Sequence, residues 1–470
     1  MSRKYILLLV VGIFSANLFG GSGASPSFKD TDELIKSRKA AWLSETIEPM
    51  SAKDQLKSIN EFKGAVTAYR QTTKGYILPL GPQSKEKLRK MSSWLYSNLV
   101  AEFFNQKSLP DIIECAISLS ECSFSAHYLF DAFEYQLWTY NHKLLNDLDY
   151  TRLFFAMSQS QYFPNQSGYS LEQQAYSHPG FDIHEHLEEI VANQKKKIGY
   201  AWLGYGARKS ITQTLANIVI AYNMMSGEEF DSIEGKFQSL NMTFPLDGAV
   251  SALVDLFDKC TDSEKEQCVT SIQNSKNLYK SLLLGLICKT EMHFPARACL
   301  DPNQPMPSEA LEKHRKLVLD IRKILNNGSN NAGAVVSGFE ASIGKQLFKL
   351  HTSQYKVKHN VYDSDLCSEI DFVITNVQTG TVLRIEADGP FHFNQNFHGD
   401  GITQDLNGLT RLQTNLLRKF GKVLRISGAC NEATYFKRID SIVSVIKAFY
   451  ASSDRVRFIP PSGEYASCLK

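Results

Sequence analysis

The chain changes its hydrophobic spacing across one stretch rich in Gly, Asn and Ser, Asn326 to Gly338. Upstream, from about Lys85 to Lys289, apolar residues recur at helical intervals and strand-like alternation is scarce. Downstream, short alternating runs and helical runs follow one another. Because Gly, Asn and Ser favour turns and flexible connections, we predict a linker at residues 326–338 that separates two structurally different parts of the chain.

The upstream part, residues 25–325, is predicted to be an array of α-helices. A segment that opens with a proline in its first turn, Leu109 to Ser118, resembles a second segment that begins at Thr151. Ala116 and Ala156 coincide when the two segments are aligned. Small residues let helices approach closely, and a period of about 40 residues is typical of stacked helical pairs. The pattern indicates a helical-repeat, solenoid-like region, with an irregular helical bundle as the alternative.

Two polar patterns lie within this helical part. His184 and His186 are two residues apart and would point to different sides of a helix, so a solvated helix surface is favoured over a metal site. The run Lys195 to Lys197 is typical of a solvated helix face and could also contact phosphate.

The first 24 residues have the pattern of a secretory signal peptide. Arg3 and Lys4 precede an apolar run, Tyr5 to Phe19, and small residues then lead to a cleavage site after Ala24. The apolar run is shorter than the roughly 20 residues that a membrane span requires. We therefore predict an exported or secretory-pathway protein without a stable membrane span after cleavage. An uncleaved anchor and a mitochondrial leader are the alternatives.

Overall composition says little about the partner of this chain. Among 470 residues, 43% are hydrophobic and 21% charged, which excludes a mainly disordered chain. Lys and Arg total 51 against 49 Asp and Glu, so the net charge of +2 does not indicate a polyanionic partner. The basic residues are nevertheless concentrated between Asn407 and Ile426, a segment without Asp or Glu. These candidate phosphate contacts are Arg411, Arg418, Lys419, Lys422 and Arg425.

The downstream part has the element order α-β-β-β-α-β. The two central strands are separated by a polar, Gly-containing turn, which is typical of a β-hairpin. The predicted elements are a helix at Phe339–Leu350, strands at Tyr355–Val361, Ile370–Thr375 and Thr381–Ala387, a helix at Leu409–Phe420 and a strand at Lys422–Ile426.

This hairpin would bring carboxylates together. If Gln378 and Thr379 form its loop, Asp371 lies opposite Glu386, and Asp388 shares the same face. Like charges placed in this way destabilise a sheet unless a cation such as Arg384 or Lys345, a divalent metal or a raised pKa compensates them. The metal predicted from such oxygen ligands is Mg²⁺ or Mn²⁺. His392, just after the strand, could act as an acid or a base.

The octet Glu386 to Phe393 (EADGPFHF) closely resembles the characteristic stretch of RAP domains, and the segments Gly408–Leu416 and Phe420–Ile426 resemble the helix, Gly and strand that end such domains. The resemblance implies an RNA-binding module at residues 339–450, followed by a tail at 451–470. RAP domains commonly follow α-helical repeats, as in FAST-kinase-like and octotricopeptide proteins.

The same resemblance implies a restriction-endonuclease-like α/β fold related to very-short-patch repair nucleases and PD-(D/E)-x-K enzymes. Asp371 then matches the motif aspartate, Glu386 the second acid and Glu340 the acid of the preceding helix. The position of the family's lysine carries Asp388, which disfavours hydrolysis, although His392 could substitute for the lysine.

Three functional hypotheses follow. The first is an RNA-binding protein, acting in RNA processing or stability, whose helices lie along single-stranded RNA while its RAP domain contacts phosphate. The second is an Mg²⁺-dependent endonuclease with Asp371, Glu386 and Asp388 as metal ligands and His392 as a fourth catalytic residue. The third is a helical scaffold for protein partners that carries a degenerate nuclease fold.

Overall fold

The computed structural model describes scattered positions between residues 32 and 90 and most of the chain from residue 109 to residue 459. The described ranges are 109–121, 124–125, 130, 145–162, 183–200, 203–225, 227–270, 281–287, 299–328, 338–389, 392, 395–396, 406–427 and 432–459. The predicted signal peptide and residues 329–337 of the predicted linker lie outside the described residues.

The upstream part is helical, as predicted. Its helices are α1 (Leu109–Glu121), α2 (Asp147–Gln159), α3 (Ile183–Gly199), α4 (Tyr205–Asn223), α5 (Gly227–Ser239), α6 (Pro245–Asp258), α7 (Asp262–Thr270) and α8 (Glu309–Gly328). Helix α4 lies at the centre and contacts α2, α3, α6 and α7. Within the described residues, no helix is both long enough and apolar enough to cross a membrane.

Small residues allow the first two of these helices to pack closely, as their spacing predicted. Ala116 and Ala156 are both buried, and the Ser120 hydroxyl donates to the Ala156 carbonyl at 3.2 Å. The N-terminus of α2 is capped by Asn146, whose side chain accepts from the Asp149 N–H at 3.0 Å.

The prediction of a solvated surface at His184 is wrong. His184 is buried, and its Nδ1 forms a 2.9 Å hydrogen bond with the Tyr222 hydroxyl inside the helical core. A partner on a distant helix compensates the imidazole for lost water, and local spacing does not reveal such a partner.

The downstream part contains a five-stranded mixed sheet with the strand order β2-β3-β4-β6-β7. Strands β2, β3 and β4 are antiparallel neighbours, whereas β6 and β7 continue the sheet in parallel from β4. A separate pair of two-residue strands, β1 (Phe124–Ser125) and β5 (Gln395–Asn396), joins the two parts of the chain. The strands of the main sheet are β2 (Tyr355–Asp363), β3 (Ser368–Asn376), β4 (Val382–Asp388), β6 (Lys422–Ser427) and β7 (Val456–Ile459).

The helices of this part are α9 (Gly338–Leu347), a 3₁₀ turn (Phe348–Leu350), α10 (Gly408–Phe420) and α11 (Glu432–Ala451). Helices α9 and α11 share a core with one face of the sheet, including Leu383, Ile385 and Leu424. On the other face, α10 and Val423 belong to the same core as the upstream helices. The sheet is therefore covered on both faces, as expected for strands with parallel neighbours.

The hairpin between β3 and β4 has the predicted register, with Phe372 opposite Ile385 and Ile374 opposite Leu383. Its loop is longer than the predicted two residues. The Asn376 N–H donates to the Thr381 carbonyl, and Gly380 completes the turn with a φ of +67°. This left-handed conformation favours glycine, which explains its position.

Two predicted boundaries need correction. Helix α8 continues through the first residues of the predicted linker and ends at Gly328. The Asn326 side chain stabilises this last turn, since it accepts a hydrogen bond from the Tyr362 hydroxyl and donates to the Ser364 carbonyl. The predicted C-terminal tail contains β7, so the sheet ends at Ile459. A four-residue strand is too short for a reliable alternation pattern.

Candidate functional site

The predicted carboxylates occupy the sheet face that α10 covers. Alternate residues of β4, including Leu383 and Ile385, point into the core shared with α9 and α11, so Glu386 and Asp388 point to the opposite face. Asp371 on β3 joins them, since its Oδ2 accepts the Ala387 N–H at 2.6 Å. The carboxylate grouping is confirmed, and only 5% of Glu386 and none of Asp388 is exposed.

Asp388 is neutralised by Arg425 on the neighbouring parallel strand β6. The Arg425 Nε donates to Asp388 Oδ2 at 2.8 Å, and a second guanidinium nitrogen donates to Oδ1. Both side chains are completely buried. Two parallel hydrogen bonds to one carboxylate are the strongest form of this ion pair.

The prediction that Arg425 contacts RNA is therefore wrong. Its side chain has no exposed surface, and its remaining N–H groups are directed at α10, where Thr414 Oγ1 accepts at 3.0 Å and Gln413 Oε1 at 3.4 Å. Thr414 in turn donates to the Thr410 carbonyl within α10 at 2.7 Å. Arg425 therefore connects the sheet to α10 through hydrogen bonds.

The pKa values of Asp371 and Glu386 are both raised, which reduces the negative charge of these two side chains. Burial is the main cause that raises the pKa of Asp371 to about 7; the Ala387 N–H opposes it, and the charges of Glu340 and Asp388 add to it. Burial, followed by the Asp371 charge, raises the pKa of Glu386 well above its usual value. Among the described residues, Glu386 Oε1 has no hydrogen-bond partner.

These side chains do not fit the predicted Mg²⁺ or Mn²⁺ site. Both oxygens of Asp388 accept hydrogen bonds from Arg425, so this carboxylate is not available to a metal ion. Nowhere in the described ranges do three or more His, Cys, Asp or Glu side chains converge as a metal-ligand set. Glu340, the acid of α9, hydrogen-bonds His359 Nε2 at 2.6 Å.

His392 lies beside the buried ion pair. Its Nδ1 is 3.1 Å from the Thr410 hydroxyl and 3.5 Å from both the Asp388 carboxylate and the Arg425 guanidinium. Burial lowers the pKa of His392, the Asp388 charge opposes this effect, and the Arg425 charge adds to it. The imidazole is therefore neutral at pH 7 and could serve as a base rather than as an acid.

Lys422 is also not positioned as predicted. Its Nζ donates to the carbonyls of Phe449, Ser452 and Asp454, at 2.9, 2.7 and 2.8 Å, and lies 4.8 Å from the centre of the Phe449 ring. The ammonium group thus uses all three of its donors to hold the end of α11.

The other predicted cations lie on α10. Arg418 is exposed, and Arg411 and Lys419 are partly exposed. In the portion of the chain that the structure describes, neither Arg411 nor Arg418 has a carboxylate partner. We name Arg411, Arg418 and Lys419 the α10 basic strip.

Sequence reasoning missed the Asp388–Arg425 pair. Arg425 is directly opposite Glu386 in the parallel register of β4 and β6. Parallel strands are joined by long crossovers, here residues 389–421, so no turn sets their register and no local signal reveals it. Alternation alone placed Arg425 on the same side of its strand as Val423, a buried position, which was the available hint.

When the sequence is compared with protein-family models and with curated proteins, nothing matches.

Proposed function

We propose that this chain is an RNA-binding protein whose C-terminal α/β domain contacts RNA phosphates through the α10 basic strip. The observation that carries the proposal is the unpaired state of Arg411 and Arg418 within the described residues. Arg418 is exposed and Arg411 partly exposed, and guanidinium groups without an acidic partner leave their donors available to phosphate oxygens.

The charge distribution of α10 supports this proposal. The inner side of the helix, including Leu412, Leu416 and Phe420, is buried against the sheet and the upstream helices. Arg411 and Arg418 are seven residues apart and share the outward side. Because Asn407 to Ile426 contains no Asp or Glu, nothing on this segment offsets the positive charge.

Binding is favoured over hydrolysis because the acidic cluster lies under α10 and is compensated internally. The Asp388 carboxylate forms an ion pair with Arg425, and burial raises the pKa of Glu386. The mixed five-stranded sheet is compatible with the endonuclease-like RAP domain that the resemblance implies, and the upstream part is helical, which is compatible with either a repeat array or an irregular bundle. We therefore propose a nuclease-like domain that retains a phosphate-binding surface.

Fluorescence anisotropy with the full chain and a labelled 20-nucleotide oligouridine tests this function. We expect Arg411→Gln/Arg418→Gln to weaken binding about tenfold and to reduce the slope of log affinity against log salt by about 1.4, or 0.7 for each lost phosphate contact. The matched control is Lys313→Gln/Lys316→Gln on α8, two lysines that already pair with Glu309 and Asp258.

Equal loss in both double variants would show that α10 is not the contact surface. No binding of wild-type protein at low salt would overturn the RNA-binding function and leave the protein-scaffold hypothesis. Metal-dependent cleavage of the probe that is lost in Asp371→Asn would instead establish the nuclease hypothesis.

A further inference from the structure

Two exposed aromatic side chains flank the connection between α3 and α4. Tyr200 and Tyr205 have 67% and 50% of their surface accessible. Across the described ranges only three other large apolar side chains are exposed to a similar degree, and these lie singly on other elements: Leu240, Phe348 and Val377. Isolated exposed apolar residues need no explanation, but two exposed tyrosines that flank one connection indicate an interaction surface.

Each tyrosine has a lysine beside it. Lys196 is four residues before Tyr200 at the end of α3, and Lys209 is four residues after Tyr205 at the start of α4. Tyr205 and Lys209 share a face of α4 because they are four residues apart on one helix, whereas Tyr200 directly follows the last residue of α3. The two tyrosines are five residues apart, so they are separated by at most about 18 Å. We name Lys196, Tyr200, Tyr205 and Lys209 the Tyr–Lys surface.

Lys196 is exposed and Lys209 is partly exposed. Two of their basic neighbours are already paired, Lys197 with Asp147 at 3.0 Å and Arg208 with Glu264 at 2.8 Å. Neither Lys196 nor Lys209 has a carboxylate partner in the described part of the protein. The sequence from Ile190 to Gly227 contains five Lys or Arg residues and no Asp or Glu, so the local charge is positive.

Hydrogen bonds hold the chain on both sides of the connection, at Ile198 and Leu203. Lys259 Nζ donates to the Ile198 carbonyl at 2.7 Å, and the Arg208 guanidinium donates to the Leu203 carbonyl at 2.6 Å. Among the described residues, a Cβ atom added at Gly199 or Gly206 would meet no neighbouring atom within 4 Å, so the space beside these two glycines is open.

We propose that the Tyr–Lys surface is a second RNA contact, in which Tyr200 and Tyr205 stack on unpaired bases while Lys196 and Lys209 contact phosphates. Single-stranded nucleic acid offers flat base faces alternating with negative charges, and this alternation matches the aromatic and cationic groups. Base-paired RNA buries its base faces, and acidic peptides have no such faces. The inference rests on the proposed function for the identity of the nucleic acid and adds a site in the helical part of the chain.

Anisotropy titration of the full chain with labelled 20-nucleotide oligouridine tests the inference. We expect Tyr200→Ala/Tyr205→Ala to weaken binding at least tenfold without changing the salt slope, since no charge is removed. Tyr200→Phe/Tyr205→Phe keeps both rings and should bind within twofold of wild type. Lys196→Gln/Lys209→Gln should reduce the salt slope by about 1.4. Leu240→Ala is the control for loss of an exposed apolar side chain, and thermal melts monitored by circular dichroism verify the fold.

The possible failures are distinguishable. If the tyrosine-to-alanine variant binds like wild type while the α10 variant is impaired, this inference is overturned and the proposed function stands. If wild type does not bind oligouridine, both are overturned. Equal affinity for an RNA duplex of the same length, or tyrosine-dependent binding to phosphatidylserine vesicles in place of oligouridine, would also overturn stacking on unpaired bases.

Discussion

Asp388 on β4 and Arg425 on β6 form a two-point ion pair in which neither side chain is exposed to solvent. The same guanidinium donates to Thr414 on α10 at 3.0 Å. A buried charge pair of this kind joins the acidic and basic segments of the C-terminal domain directly. It replaces the metal ion and the RNA phosphate that the sequence alone suggested as partners.

Removing the cation of this pair should destabilise the fold strongly. Arg425→Gln leaves Asp388 as an uncompensated buried charge, for which we expect a loss of about 3–5 kcal/mol in the free energy of unfolding. Urea titration monitored by tryptophan fluorescence measures this loss.

Two comparisons make that result specific to the pair. Asp388→Asn/Arg425→Gln removes both charges and should recover part of the loss, whereas Arg418→Gln on the surface should cost less than about 0.5 kcal/mol. A neutral effect of Arg425→Gln, or loss of RNA affinity in a fully folded Arg425→Gln protein, would contradict the buried role.

The stability of the protein should fall as the pH rises towards 7. The pKa of Asp371 is about 7 in the folded protein and about 3.9 in an unfolded chain, so the folded state binds more protons between these values. Its contribution is therefore fully present below pH 4 and is lost as the pH rises through 7. Glu386, whose pKa is also raised, acts in the same direction.

Asp371→Asn should flatten this part of the pH profile. The amide oxygen can still accept the Ala387 N–H, and the neutral side chain no longer requires a proton. Urea midpoints at pH 5, 6, 7 and 8 measure the effect, and Glu369→Gln, an exposed acid on the same strand, is the control. An unchanged slope in Asp371→Asn would show that Asp371 ionises normally.

Divalent metal ions should not stabilise the protein. A ligand that binds only the folded state raises the melting temperature, and the acidic cluster does not present a metal-ligand set in the described residues. Differential scanning fluorimetry with Mg²⁺ or Mn²⁺, against EDTA, tests this expectation. A rise in melting temperature that disappears in Asp371→Asn would show that Asp371 is a metal ligand and would contradict this expectation.

The junction between the two parts of the chain should be sensitive at Gly408. A Cβ atom there would lie 2.7 Å from the Ser158 carbonyl and even closer to Met224 Sδ, while the next residue, Leu409, donates its N–H to Gln159 at 2.9 Å. We expect Gly408→Ala to cost about 1–3 kcal/mol because backbone atoms would have to move.

Gly206→Ala is the matched control for this substitution. Among the described residues a Cβ atom at Gly206 would meet no neighbouring atom within 4 Å. Gly206 lies in the first turn of α4, so its replacement by alanine should be neutral or slightly stabilising. Equal urea midpoints for the two variants would show that α10 does not dock tightly on the upstream helices.

Local pattern was sufficient to predict most elements of the C-terminal domain. The alternation around Phe372 and Ile385 and the Gly-containing turn gave the strands, the hairpin register and the grouping of Asp371, Glu386 and Asp388. Turn position and a period of two residues fix an antiparallel pair, because its two strands are neighbours in sequence.

The partners of these residues could not be predicted in the same way. His184 forms a hydrogen bond with Tyr222, and Asp388 forms an ion pair with Arg425, across sequence separations of 38 and 37 residues. Alternation places Arg425 on the same side of its strand as Val423, but it does not show whether that side is covered or faces solvent. Burial decided between these possibilities, since a desolvated guanidinium is stable only against a carboxylate.

The sequence by itself determined the helical and mixed α/β parts of the chain, the register of the hairpin and the face that carries the carboxylates. These properties follow from hydrophobic periodicity and turn chemistry, which act over a few residues. Only the tertiary structure decided which charges are used inside the protein and which remain on its surface. That outcome depends on the parallel docking of β6 beside β4 and of α10 above them, because removal of water makes a buried charge require a partner.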